Sequence, residues 1–275
     1  NQIAQLSTDA LGAISTEGIA LLSTSQIVGL TTTQMASLSS SAFSTLNTKQ
    51  IAALETSDIV VLSVENIGLL TAFQTRGLTT SQVSQLTTDA VAGLSTLAVA
   101  ALNTVQVASL STTQVASLNS ITVSALTTRQ IAALEIQDFA ALGTTNMGVL
   151  SGVQIKGLTT SQISQLTSVS LGALNSSAVV SLSTAQIVAL NTAQVASLST
   201  TTLKALSIKQ VAALETRDVA VLSSTILDSM SRAQIESLTT VQVAAFTTSQ
   251  LDALGSSLLT RLTAAQLRGL GVDRL

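Results

Sequence analysis

Residues 78–118 read LTTSQVSQLTTDAVAGLSTLAVAALNTVQVASLSTTQVASL, with a leucine at every eighth position. The spacing runs on in both directions without an insertion or a deletion. Every eighth residue from Leu6 to Leu270 gives 34 positions, of which 31 are Leu and the others Ile14, Met230 and Phe246. Three residues before each stands a second apolar residue, from Ile3, Leu11 and Ile19 through to Leu267, interrupted only by Thr75. The unit is an octapeptide, approximately Ser/Thr/Asn-Thr-x-Gln-Ile/Val-Ala-x-Leu, numbered below as positions 1 to 8. A repeat of this regularity governs the fold before any local signal does.

Apolar residues at i and i+3 share a helix face, whereas a strand needs i and i+2. One continuous helix does not fit, because eight residues at about 100° each leave a drift of roughly 80° per octad. The residue after each Leu resets that phase. It is Ser, Thr or Asn at 28 of the 34 positions, and Gly at Gly143, Gly255 and Gly271, all types favoured at a helix N-cap. Gln commonly follows three residues later, as in Thr79 and Gln82, Ser111 and Gln114, or Asn191 and Gln194. That pairing spells a capping box. An isolated octad buries too little to offset its loss of chain entropy, but stacked octads share contacts above and below.

The sequence therefore predicts an all-α solenoid, or superhelix, of very short capped helices, one per octad. A parallel β-solenoid is the alternative, since Val, Ile and Thr suit strands. Its turns would need residues at fixed places, yet Pro is absent and the 14 Gly keep no register. A flexible Ser/Thr-rich stalk has no reason to hold an apolar register for 34 units.

A longer period is superposed on the octad. KQIAALETSD at 49–58 returns as RQIAALEIQD at 129–138 and as KQVAALETRD at 209–218, ten octads apart each time. We divide the chain into a continuous solenoid over 1–250, with super-repeats of roughly 1–80, 81–160 and 161–240, and degenerate repeats or a cap over 251–275. The C-terminal part is set off because 13 of the 25 charged residues lie from Lys204 onward and the octad loosens through Met230 and Phe246. Duplication of an 80-residue ancestor accounts for the long period. So does a fit of ten octads to a whole number of superhelical turns. The second explanation aligns Lys49, Glu55, Asp58, Arg129, Glu135, Asp138, Lys209, Glu215 and Asp218 as a charge ladder for pairing coils or molecules. The Glu falls at the cap and the Asp three residues on, where N–H groups and the helix dipole favour negative charge.

Composition narrows the chemistry. Without His, Cys, Trp or Tyr, the chain has no thiol nucleophile, imidazole base or Cys/His zinc site. We expect no catalytic set, no cofactor and no metal; two carboxylates per cluster are few for calcium, which takes six to eight oxygens. Net charge is -3 and eleven Lys and Arg are spread over 275 residues, which gives no nucleic-acid groove. Polar residues break the apolar ones well short of the roughly 18 needed for a spanning helix. No signal peptide is present and the chain opens at Asn1, so we read it as a segment of something longer. Asn175-Ser176-Ser177 matches a glycosylation sequon, as chance allows in so Ser-rich a chain.

The tandem units quoted above resemble the Ser/Thr/Ala/Leu-rich repeat regions of very large bacterial secreted and cell-surface, adhesin-like proteins. The resemblance spans essentially the whole chain and is one of repeat style. It implies an extracellular or surface-exposed, non-enzymatic segment used for adhesion, spacing or filament building, and carries over no functional residue. A structural rod or filament that self-associates is the first expectation. A binding module gripping a glycan, peptide or host surface along a concave face is the alternative. For the latter the chain offers few aromatic platforms: of Phe43, Phe73, Phe139 and Phe246, three occupy core positions.

Overall fold

Each octad makes its own helix because its first residue leaves the helical region. Thr79 is extended (φ -77, ψ 160), and its hydroxyl accepts the N–H of Gln82 at 3.2 Å. The helix Thr80–Gln85 runs to Leu86, where φ -57 and ψ 136 turn the chain out again. Two such residues in succession restore the phase that helical winding loses. The computed structural model describes residues 2–270, which hold 32 α-helices after one 3-10 turn at Gln2–Gln5. All but one of the helices are four to seven residues long. The described residues contain no strand, so the β-solenoid alternative falls.

The chain forms two compact units, Asn1–Leu142 and Gly143–Leu275. In the first, each helix packs on the third one along: Thr48–Ala53 on Ala72–Gly77, that helix on Thr96–Ala101, and this on Ser120–Ala125. The second repeats the arrangement, with Thr216–Val221 between Thr192–Ala196 and Thr240–Ala244. Side chains bond across 28 and 31 residues within each unit. Each unit is therefore a helical solenoid whose turn takes between three and four octads.

Positions 5 and 8 face the interior. Ile51, Val83 and Val115 are 0% exposed and Leu54, Leu86 and Leu118 4%. Phe43, Phe139 and Phe246 are buried in the same two positions, while Phe73 stands at position 3 and is exposed. Thr75 is tolerated inside because its hydroxyl donates to the Thr71 carbonyl at 2.9 Å.

The glycines at position 1 depart from the expected cap. Gly143 (φ 75) and Gly255 (φ 48) adopt left-handed backbone, which glycine takes at no steric cost and which is not the extended geometry of an N-cap. Gly255 kinks the twelve-residue helix Thr248–Leu259 where a separately capped octad was expected. Gly271 lies outside the described residues. Near this end Leu251, Leu259 and Leu267, at position 5, are half-buried.

Candidate functional site

The last carbonyls of any helix lack an intrahelical partner, and helices of five or six residues make this a problem for most of the chain. The Gln at position 4 answers it. Gln82 Oε1 accepts the Thr79 N–H at 2.7 Å, and its Nε2 donates to the Ile51 and Leu54 carbonyls of the preceding coil turn at 2.8 and 2.7 Å. One acceptor and two donors are thus all used in a side chain 2% exposed. The same clamp spans 28 and 31 residues at Gln106 and Gln130 in the first unit, and at Gln186, Gln194 and Gln266 in the second.

Sequence reasoning found the capping half of this residue and missed the donating half. The signal was present: a capping box accepts Glu as readily as Gln, yet position 4 never holds Glu. A carboxylate would aim negative oxygens at two carbonyls.

Where position 4 lacks Gln, another donor can serve the coil below. Leu258 cannot reach the Leu227 and Met230 carbonyls, and Arg261 Nη1 donates to both, at 3.4 and 2.9 Å. Ala178 is replaced in this role by the cap residue Asn175, whose Nδ2 donates to the Gly148 and Leu150 carbonyls at 3.0 and 3.1 Å. Asn175 itself remains exposed, with its amide nitrogen engaged by those two carbonyls. Asn66 is shorter than Gln; its Nδ2 reaches Leu38 O at 3.3 Å and its Oδ1 is buried without a partner.

The 80-residue period is written in this buried position. From residue 50, position 4 reads Gln50, Asp58, Asn66, Gln74, Gln82, Ala90, Ala98, Gln106, Gln114, Thr122. The next ten octads read Gln130, Asp138, Asn146, Gln154, Gln162, Ser170, Ala178, Gln186, Gln194, Thr202. One changed residue in ten, together with Gln210 and Asp218 opening the third round, shows that the super-repeat programs which coil turns are clamped.

The three charge clusters fall within that program. Lys49, Arg129 and Lys209 stand exposed at position 3; at the cap Glu55 and Glu135 are exposed and Glu215 is half-buried. Asp58, Asp138 and Asp218 are buried, at 2%, 3% and 0% exposure, because a position-4 side chain turns inward. Of the residues expected to form a ladder, only the basic residues and Glu therefore reach the surface. Asp58 Oδ2 accepts the Glu55 N–H at 3.0 Å and Asp218 Oδ2 the Glu215 N–H at 3.1 Å. Asp138 Oδ1 instead accepts from the Thr112 hydroxyl at 2.6 Å; Thr192 holds the equivalent place below Asp218, whose Oδ1 has no partner. Burial pushes the Asp58 and Asp218 carboxyls above the usual carboxylate range.

Within each cluster Glu135 accepts from Gln137 Nε2 at 2.9 Å, and Glu215 pairs with Arg217. Lys49, Arg129 and Lys209 join none of the ion pairs among the described residues. Among the described residues no ion pair links the 49–58 cluster to the 129–138 cluster. Among the described residues no three acidic side chains converge as a metal site would require, and no helix is long and apolar enough to cross a membrane.

A family model described as the ALTTAQ repeat matches residues 3–40, 99–135, 131–168, 170–200 and 211–248, together more than half of the chain. The letters fit the clamp: ALTTRQ at 125–130 and ALNTAQ at 189–194 run from the buried Leu, across the cap, to Gln130 and Gln194. No curated protein matches the chain.

Proposed function

The chain belongs to the ALTTAQ repeat family, and from that premise we propose that it is a non-enzymatic structural segment, a spacer or filament-building stretch of a bacterial extracellular or surface protein, that associates with itself. The observation that carries this is the interior hydrogen-bond program. The Gln side chains held in fixed geometry at position 4 are spent on joining one coil turn to the next. Weak net charge leaves little repulsion between copies, and the Ser/Thr exterior offers lateral hydrogen bonds. Surface Lys49, Arg129, Glu55 and Glu135 are the charged contacts available to such packing. The resemblance in repeat style supports the extracellular or surface placement.

Electron microscopy of the purified chain across a concentration series, with sedimentation velocity on the same samples, tests the proposal. Particles that grow with concentration are expected. A species that stays monomeric from micromolar to hundreds of micromolar would leave self-association without support.

A further inference from the structure

Position 3 of the octad points outward, and on most helices it is polar or small. Three consecutive members of one stack break that rule. Phe73, Leu97 and Ile121 are 72%, 74% and 71% exposed, and lie 24 residues apart on Ala72–Gly77, Thr96–Ala101 and Ser120–Ala125. These helices pack one on the next within the first unit. With packed helices about 8–10 Å apart, the side chains form one row roughly 16–20 Å long. The neighbouring stack of Val64–Gly68, Thr88–Gly93 and Thr112–Ser117 presents Glu65, Asp89 and Thr113 at the same position. The row is therefore a feature of one face, not of the octad.

Its size and symmetry suit one occupant. At these exposures three large apolar side chains offer roughly 400 Å², and two such rows face to face remove on the order of 800 Å² of apolar surface from water. A stable interface buries about 1,200–2,000 Å² in total, somewhat over half of it apolar, so a pair of rows supplies the core of one at the small end of that range. Equal spacing makes the row self-complementary: a two-fold axis at Leu97 sets Phe73 against Ile121 of a second copy, the isologous arrangement of most dimers. Charge selects the orientation. Arg76 lies over the Phe73 ring at 5.9 Å, and Lys49 is on the helix packed below. An antiparallel pair keeps these cations at opposite ends, whereas a parallel pair stacks them against their own copies.

We infer that the Phe73–Leu97–Ile121 row is where a second copy of this chain docks, antiparallel, with its two-fold axis at Leu97. The inference rests on the self-association proposed above and gives it a face and a geometry.

The chain has no cysteine, so cross-linking reads this geometry directly. Leu97→Cys, Phe73→Cys, Ile121→Cys and the control Thr113→Cys are made in the full chain, checked for native far-UV dichroism and oxidised mildly at micromolar concentration. Leu97→Cys is expected to form covalent dimers at least tenfold faster than Thr113→Cys. Phe73→Cys mixed with Ile121→Cys should cross-link well, and Phe73→Cys alone poorly. Equal rates for Leu97→Cys and Thr113→Cys, with the unmodified chain still sedimenting as an oligomer, would overturn the row and leave self-association standing. An unmodified chain that is monomeric throughout would remove both.

Discussion

Gln and Asp at position 4 have opposite consequences. Gln82 gives one acceptor to its own helix and two donors to the turn below, while Asp58 and Asp218 keep the first role and lose the second. Their carboxyls titrate high chiefly because they are buried. The Glu55 and Glu215 N–H groups oppose the shift, as does Arg217 at Asp218, and the neighbouring Glu carboxylates add to it. The helices packed against them, Thr32–Ala36 and Thr80–Gln85 in the first unit and Thr192–Ala196 and Thr240–Ala244 in the second, carry no charge. A group whose folded value is raised contributes stability that is complete below its unfolded value, about 3.9 for Asp, and is lost as pH rises through the folded value. Glu17, held low by its backbone N–H and the Ser15 hydroxyl, acts in the opposite sense from a fully exposed site.

The urea midpoint, followed by far-UV dichroism, should thus decline as pH is raised from about 4 toward neutrality. The Asp58→Gln, Asp218→Gln double variant should flatten that decline. Each substitution should also add about 1–2 kcal/mol at pH 7 by restoring the clamp. An unchanged pH profile would detach the decline from these two residues.

At the scale of the helix, the register of Leu, cap and Gln was legible because the octad never slips. Both the helices and their extended junctions at residues such as Leu86 and Thr87 fall where it puts them. Long-range partners were not legible, since the step from Gln82 to Ile51 depends on octads per turn, a quantity that a perfectly regular sequence does not mark. The inward turn of Asp58, Asp138 and Asp218 was hidden for the same reason. Position 4 on a lone helix is solvated, and only the next coil turn covers it. Gly143 and Gly255 misled because a cap and a left-handed bend favour the same residue.

Close stacking also constrains individual helices. A Cβ on Gly77 would lie 2.7 Å from the Thr48 carbonyl oxygen, whereas one on Gly12 would meet nothing within 4 Å. Gly77→Ala should cost about 1–3 kcal/mol, and Gly12→Ala should be neutral or stabilising by up to about 1 kcal/mol. Denaturant titrations of the pair measure this; equal effects would mean that the helices are not in such close contact.

For the molecule as a whole, solenoid stability is a sum of nearest-neighbour terms. The clamps of Gln34, Gln82, Gln106 and Gln130 all close within Asn1–Leu142. A fragment of residues 1–142 should therefore fold unaided, with the helical dichroism per residue of the full chain and a cooperative thermal transition. A fragment with coil-like dichroism would show that the first unit depends on the second. Membership of the ALTTAQ repeat family fits a design in which units can be added, because an octad with Gln at position 4 carries both its cap and its bond to the previous turn.

Gln82→Glu, compared with the unchanged chain by urea unfolding at pH 7 and at pH 4, tests the inter-turn clamp with a difference of sign. Were Gln82 only part of a capping box, Glu would be neutral or favourable by about 0.3–1 kcal/mol near the helix N-terminus. The clamp instead leaves a carboxylate facing the Ile51 and Leu54 carbonyls without a donor, and should cost about 2–4 kcal/mol at pH 7. Much of that loss should return at pH 4, where the carboxyl can carry a proton to donate. A variant as stable as the parent at neutral pH would contradict the clamp and, with it, this explanation of why the octads stack.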